Sequence, residues 1–218
     1  MTITVSNLGK RFNREWIFRG LTTEFKAGNI YAITGPNGSG KSTMMHVLWG
    51  QVPVSEGVLN YQIGTEKINV EDAFRHVAIA APYMDLLEDF TLAEHIEFHF
   101  SMKGAMNKWT TPEIIEKLDL QAAANKPIKQ FSSGMKQRLK LGLALFSESK
   151  AIFLDEPTTN LDEAAIHWYM TNLLLMASTK VVFIATNQPT DYPEGSHVLN
   201  LSSLKKVTHR SGTGIQPL

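Results

Sequence analysis

Apolar and polar residues alternate over positions 2–8, with Ile3 and Val5 between polar neighbours, and that period of two predicts a half-buried strand. Positions 10–14 read as a turn into a second extended run at 16–18. Positions 21–25 alternate again, and Ala27-Gly28-Asn29 turns the chain. The pattern then changes. Positions 30–33 are apolar without interruption, as a buried strand requires, and positions 44–49 read as a helix. After a break at 52–57, positions 58–63 and 77–80 supply further strands, and a mixed sheet is the economical arrangement. From Thr91 the spacing becomes helical, with Leu92, His95, Ile96, Phe98, His99 and Phe100 in step. Thr111 is the expected N-cap of a second helix, with Pro112 at its first position. Two short apolar runs, 151–154 and 181–185, are expected as buried parallel strands, and the polar, glycine-containing stretch 205–218 as a frayed tail.

Between the buried run and its helix lies Gly35-Pro36-Asn37-Gly38-Ser39-Gly40-Lys41-Ser42-Thr43, which fills every fixed position of a phosphate-binding loop in the strand–loop–helix context that such a loop needs. Gly35, Gly38 and Gly40 let successive backbone N–H groups converge on one point, where the N-terminus of the following helix adds partial positive charge. Asn37 and Ser39 complete the expected lining. Lys41 is expected at the β- and γ-phosphates, Ser42 as a Mg²⁺ ligand and Thr43 at the α-phosphate.

Composition narrows the alternatives. Twenty-one basic residues balance twenty-one acidic ones, so no overall field draws the chain to nucleic acid or anionic lipid, and the absence of cysteine excludes disulfides, thiolate metal sites and a thiol nucleophile. The first residues lack the pattern of a signal peptide, and no run approaches the ~18 apolar residues of a membrane span. Work at a membrane would therefore need another chain to hold this one there.

A second chemical stretch is Ala151-Ile152-Phe153-Leu154-Asp155-Glu156. Its apolar strand delivers two carboxylates to the edge where open α/β sheets bind ligands. Asp155 is expected to hold Mg²⁺ and Glu156 to polarise a water for attack on the γ-phosphorus.

Phe131-Ser132-Ser133-Gly134-Met135-Lys136-Gln137-Arg138-Leu139 resembles the signature motif of the nucleotide-binding subunits of ATP-binding cassette (ABC) transporters, and Thr158-Thr159-Asn160-Leu161-Asp162 stands in the place of their D-loop. The resemblance implies one domain with a P-loop NTPase (RecA-like) α/β core at 1–82 and 131–218, an antiparallel β subdomain and a small helical insertion at 83–130. It implies ATP and Mg²⁺ as ligands, and a homodimer or paired ABC subunit in which Ser132 and Gly134 of one copy face the ATP of the other. It also implies Phe12 as the adenine-stacking aromatic, and a transmembrane permease partner at the cytoplasmic face of the cell membrane. Repair and chromosome-organising relatives need long coiled-coil insertions, for which the roughly 97 positions between Gly35 and Ser132 leave no room.

Two positions depart from the family pattern. The glutamine that precedes the insertion is replaced by Pro82, or by Tyr83 if the register slips by one; Pro has no side-chain polar group and Tyr only a phenol. The switch histidine after the last buried strand is replaced by Asn187, which donates a hydrogen bond but carries no proton. Slow turnover is expected, lowered ~10² to 10³-fold by a lost contact of ~2 to 4 kcal/mol, and a module that uses ATP only to dimerise is the competing reading. His95 and His99, four apart, are expected as solvated or partly buried helix histidines and not as a metal site. Tyr83, Met84, Leu86, Leu87, Phe90 and Leu92 read as core or, by family analogy, as the groove for a permease helix. Lys136, Arg138 and Lys140, following the signature, read as phosphate-side electrostatics and a solvated helix face rather than as nucleic-acid binding.

Overall fold

The two apolar periods sort the strands into two sheets. In a computed structural model that describes residues 1–204, β1 (Thr2–Phe12), β2 (Glu15–Lys26), β4 (Glu56–Ile63) and β5 (Glu66–Ile68) form an antiparallel sheet in the order β2-β1-β4-β5. A wholly parallel sheet is formed by β6 (Val77–Ala80), β7 (Ala151–Asp155), β8 (Val181–Thr186), β3 (Ile30–Thr34) and β9 (His197–Asn200), in that order. The expected mixed sheet is thus two sheets. Alternating strands leave one face to solvent, whereas runs that are apolar on both faces need cover on both. The tail expected at 205–218 lies outside the described residues.

In β1 the buried apolar side chains are Ile3, Val5 and Leu8, with a register shift between Val5 and Leu8 and a left-handed Asn7 at φ 48°. The two runs expected at 16–18 and 21–25 are one strand, β2, which passes through Gly20 in the left-handed region. Gly57 of β4 packs under the β1 irregularity: a Cβ there would lie 2.3 Å from the Asn7 carbonyl oxygen, so only glycine fits.

The parallel sheet explains how the site is held. Ile152, Leu154, Val182 and Ile184 face one core with α2 (Leu92–Lys103), α3 (Thr111–Lys117), α4 (Ser133–Phe146) and α5 (Glu163–Ala177). Phe153, Phe183 and Ala185 face the other, with α1 (Lys41–Leu48) and the antiparallel sheet. On that side Phe153 and Phe183 stack across β7 and β8 with centroids 4.7 Å apart. Trp49 at the end of α1 meets Phe153 edge-on at 5.3 Å. Such pairs add about 0.5–1.5 kcal/mol beyond burial, and the Trp49–Phe153 pair holds the end of α1 on β7, the strand that carries Asp155.

The helical segment closes on itself where the chain enters and leaves it. Ile128 N–H donates to the Phe90 carbonyl and Lys129 N–H to that of Glu88, each at 2.9 Å. Thr91 caps α2 in a capping box with Glu94. The start of α3 corrects the expectation by one residue. Thr110 is the N-cap, its N–H and hydroxyl donating to the Glu113 carboxylate at 2.7 Å, and Pro112 is the second helical residue. Adjacent threonines leave the cap ambiguous until the glutamate three residues on selects the first.

Candidate nucleotide-binding site

β3 ends at Thr34, and α1 begins at Lys41 behind an N-cap, Gly40, in the left-handed region at φ 104°. No side chain caps this helix and its first turn holds no acidic residue, so its N–H groups and dipole face the loop. A Cβ on Gly40 would lie 2.0 Å from Ile17 Cγ2, which excludes any other residue on space as well as on dihedral angle. Lys41 is buried, and its Nζ spans the loop, donating to the Gly35 carbonyl at 2.9 Å and that of Pro36 at 3.4 Å. The Ser39 hydroxyl is buried without a protein partner. A cradle of N–H groups, one enclosed ammonium and one orphaned hydroxyl fits a phosphate chain.

Ser42 Oγ donates to Asp155 Oδ2 at 2.7 Å, bringing together residues 113 positions apart. Burial pushes the Asp155 carboxyl above its usual range, against the Ser42 hydrogen bond and the charges of Lys41 and His46. A carboxylate this enclosed gains from a cation beside it, and with the hydroxyl it supplies the hard oxygen donors that Mg²⁺ takes. Glu156 follows in the left-handed region at φ 47°, its N–H donating to the Ala185 carbonyl at 2.9 Å. For a non-glycine residue this conformation costs about 1–3 kcal/mol and turns the strand exit toward the loop.

Phe12, Asn37, Gly38, Gly40, Lys41, Ser42, Thr43, Asp155 and Glu156 line one cleft of about 460 Å³. Phe12 is 49% exposed there, with Lys10 Nζ 4.8 Å from its ring centroid. Asn187 reaches the rim, where its Nδ2 donates to Asn37 Oδ1 at 3.3 Å. Ser132 and Gly134 do not line the cleft. Ser132 caps α4 by accepting from Met135 N–H at 3.2 Å, and Gly134 lies against the chain at Asn160, whose carbonyl oxygen a Cβ would meet at 3.0 Å. Pro82 also lies outside the cleft lining; its carbonyl accepts from Lys140 Nζ at 3.1 Å.

Two arrangements escaped the sequence. Asp191, 2% exposed, accepts hydrogen bonds from the hydroxyls of Thr158 and Thr186, and its carbonyl accepts from the buried Tyr169 hydroxyl at 2.9 Å. It ties the loop after Glu156 to the strand end before Asn187. The second is a hydrogen bond of 2.8 Å between Tyr83 and His46 Nε2, which joins the loop after β6 to α1. A polar residue four positions after the expected switch was the available signal for Asp191. His46 offered none until the fold set Tyr83 against it.

The α2 histidines belong to packing. His95 is buried, and His99 Nε2 pairs with Ser147 Oγ at 2.9 Å; among the described residues no cluster of His, Asp and Glu is arranged to hold a metal. Burial first, then His95 and Lys103, pushes His99 down to about 4. The unfolded chain therefore takes up a proton near pH 6.5 that the folded chain refuses until about pH 4, so stability falls as pH drops through that window. Allowing for partial solvent screening, His99 should account for ~2 kcal/mol of the stability lost between pH 7.5 and 4.5. Urea unfolding of H99Q should recover that difference, and a wild-type slope in the variant would disprove the assignment. The basic cluster of α4 is engaged within the chain, Lys136 with Glu88 and Arg138 with Asp119.

Fold and site define a phosphate-loop α/β nucleotide-binding protein with an antiparallel sheet and a helical insertion. The family model described as "ABC transporter" matches residues 18–159, and the chain belongs to that family. It is 29% identical over 189 residues to the Nod factor export ATP-binding protein I of Ralstonia nicotianae, which covers 85% of this chain and 59% of that protein. It is 30% identical over 164 residues to the lantibiotic transport ATP-binding protein SrtF of Streptococcus pyogenes, covering 75% of this chain and 70% of that one. The chain spans about three fifths of the length of the Nod factor relatives it matches. A putative ABC transporter ATP-binding protein from Pyrococcus furiosus superimposes with a TM-score of 0.80 at 17% identity, over 94% of this chain and 99% of that one, a likeness of fold. Among the described residues no helix is long and apolar enough to cross a membrane.

Proposed function

We propose that this chain binds and hydrolyses ATP with Mg²⁺ and, by closing head to tail with a second copy or a paired ABC subunit, energises a separately encoded transmembrane permease at the cytoplasmic face of the cell membrane. The observation that carries the reading is the Ser42–Asp155 contact of 2.7 Å beside Lys41 at the open N-terminus of α1. Lys41 and the loop N–H groups would grip the β- and γ-phosphates, Thr43 the α-phosphate, and Phe12 the base. Ser42 and Asp155 would hold Mg²⁺, which when bound neutralises phosphate charge. Glu156, at the mouth of the same cleft, would take the proton of the attacking water. Ser132 and Gly134 are left free to serve a neighbour's phosphate, since they stand outside this copy's cleft.

The names of the relatives, a Nod factor exporter component and a lantibiotic transport component, support transport as the purpose. For the permease contact we assign the apolar groove of about 430 Å³ that opens between α1 and the helical segment, where Val70, Phe74 and Met84 stand exposed. Asn187 favours a second reading in which ATP binding, with little hydrolysis, drives dimerisation, because its amide cannot carry a proton. One measurement separates the two. Purified chain should bind ATP only with the loop intact and release phosphate in a Mg²⁺-dependent way, and Asp155→Asn should weaken Mg²⁺-dependent binding at least ~10-fold. Binding without any turnover favours the switch; no binding at all removes both.

A further inference from the structure

Ser149 and Lys150 lead into β7, and Thr179 and Lys180 lead into β8, so in this parallel pair they share the sheet edge opposite the one that carries Asp155 and Glu156. The five residues of β7 hold the two edges roughly 15 Å apart. At the far edge a cavity of about 550 Å³ opens between the loop after α2, the segment from α4 to β7 and the last turn of α5. Lys108, Lys150 and Lys180 line it, against one carboxylate, Glu148. Among the described residues none of the three lysines makes an ion pair.

Part of this charge has a structural purpose. Lys180 is 4% exposed, and its Nζ donates to the carbonyls of Leu145 at 3.1 Å and Ser147 at 2.8 Å, which caps the end of α4 and leaves one N–H uncommitted. The C-termini of α4 and α5 bring about half a negative charge each, so the cavity keeps roughly one positive charge in excess. Burial first, then the charge of Lys150, pushes Lys180 down to about 8, with Glu148 acting the other way. Ser149 has no such purpose. It lines the same cavity, is 8% exposed, and its hydroxyl has no hydrogen-bond partner among the described residues. A buried hydroxyl left unpaired costs about 1–3 kcal/mol, and only a ligand or a water can supply its partner there. The other wall is apolar, made by Met106, Leu175 and Trp109, whose ring stands edge-on to Phe146 at 5.6 Å between centroids.

We propose that this cavity binds a phosphate monoester with an apolar body, its phosphoryl oxygens on Lys150, Lys180 and Ser149 and its body against Trp109, Met106 and Leu175. Three separate donor groups match three phosphoryl oxygens, where a carboxylate offers two. The site goes beyond the nucleotide reading and stands without it.

1-Naphthyl phosphate is the probe, titrated calorimetrically into the full chain, with the four tryptophan indole N–H signals followed by NMR. It should bind with Kd below ~0.1 mM, as expected for a ligand of this size, and move the Trp109 signal, identified by its loss in Trp109→Phe. 1-Naphthoate should bind about five-fold more weakly, and uncharged 1-naphthalenemethanol at least ~30-fold more weakly. Lys180→Met would uncap α4, so two milder variants carry the test. Ser149→Ala removes a hydroxyl that bonds to no protein group; it should melt no lower than the native chain and weaken the probe about five-fold. Lys150→Ala, at an exposed side chain, should weaken it about ten-fold. The proposal is overturned by no binding, by naphthoate or the alcohol binding as tightly as the phosphate, by native affinity in both variants, or by shifts confined to Trp16, which adjoins the cleft residue Ile17.

Discussion

Glu156→Gln will lower ATP turnover by about 10³-fold and leave an ATP-loaded dimer that persists through size-exclusion chromatography in Mg²⁺. The substitution keeps shape and hydrogen-bonding size while removing the charge that accepts a proton. The backbone at 156 is fixed by its N–H bond to the Ala185 carbonyl at 2.9 Å and by the neighbouring β7 register, so the amide takes the carboxylate's place in the cleft. Binding should survive because Lys41, Ser42 and Asp155 are untouched. The dimer tests the composite site separately from the chemistry. Ser132 caps α4 at the surface and does not line the cleft of its own chain, so adding Ser132→Arg to Glu156→Gln should return the protein to monomers while nucleotide binding to each copy continues. If Glu156→Gln with ATP and Mg²⁺ stays monomeric at concentrations that saturate the nucleotide site, head-to-tail closure is not how this chain works.

What the sequence revealed depended on how local the determinant was. The phosphate loop was legible because its residues are contiguous and each glycine answers a backbone demand, at Gly40 both a positive φ and the lack of room beside Ile17. β7 and β8 were legible because residues buried on both faces leave no polar positions to confuse the period. β9 was missed: His197–Asn200 is a short edge strand with three exposed residues, and its pairing with β3 is a fact of the sheet, not of its own composition. The division of strands between two sheets was hidden for the same reason, since alternation says that one face is wet but not which neighbour is bonded. Of the apolar cluster expected at the start of the insertion, Leu92 is fully buried while Tyr83, Met84 and Leu87 are between 39% and 52% exposed, so core and surface readings each describe part of it. The Tyr83–His46 and Asp191 contacts join residues brought together only by packing, which spacing cannot show.

Asp191 bears directly on Asn187. The buried carboxylate holds the Thr186 hydroxyl, Gln188 N–H donates to the same hydroxyl at 2.8 Å, and the Thr158 hydroxyl brings the loop after Glu156 into the same network. Position 187 is thus delivered to the rim of the cleft by a backbone that its own side chain does not organise. The exposed Asn187 amide makes one long contact, 3.3 Å to Asn37, so exchanging it loses little structure. Asn187→His should raise kcat about 10²-fold with KM altered less than about three-fold, because an imidazole adds a donor able to carry positive charge where phosphate charge grows in the transition state. A gain of that size corresponds to ~2.7 kcal/mol, within the range of one such contact. Steady-state phosphate release from Asn187→His and the native chain, measured with any permease partner absent and then present, is the direct comparison. Equal rates, together with native turnover at the level of transporters that keep the histidine, would show that the amide at 187 is not what limits hydrolysis.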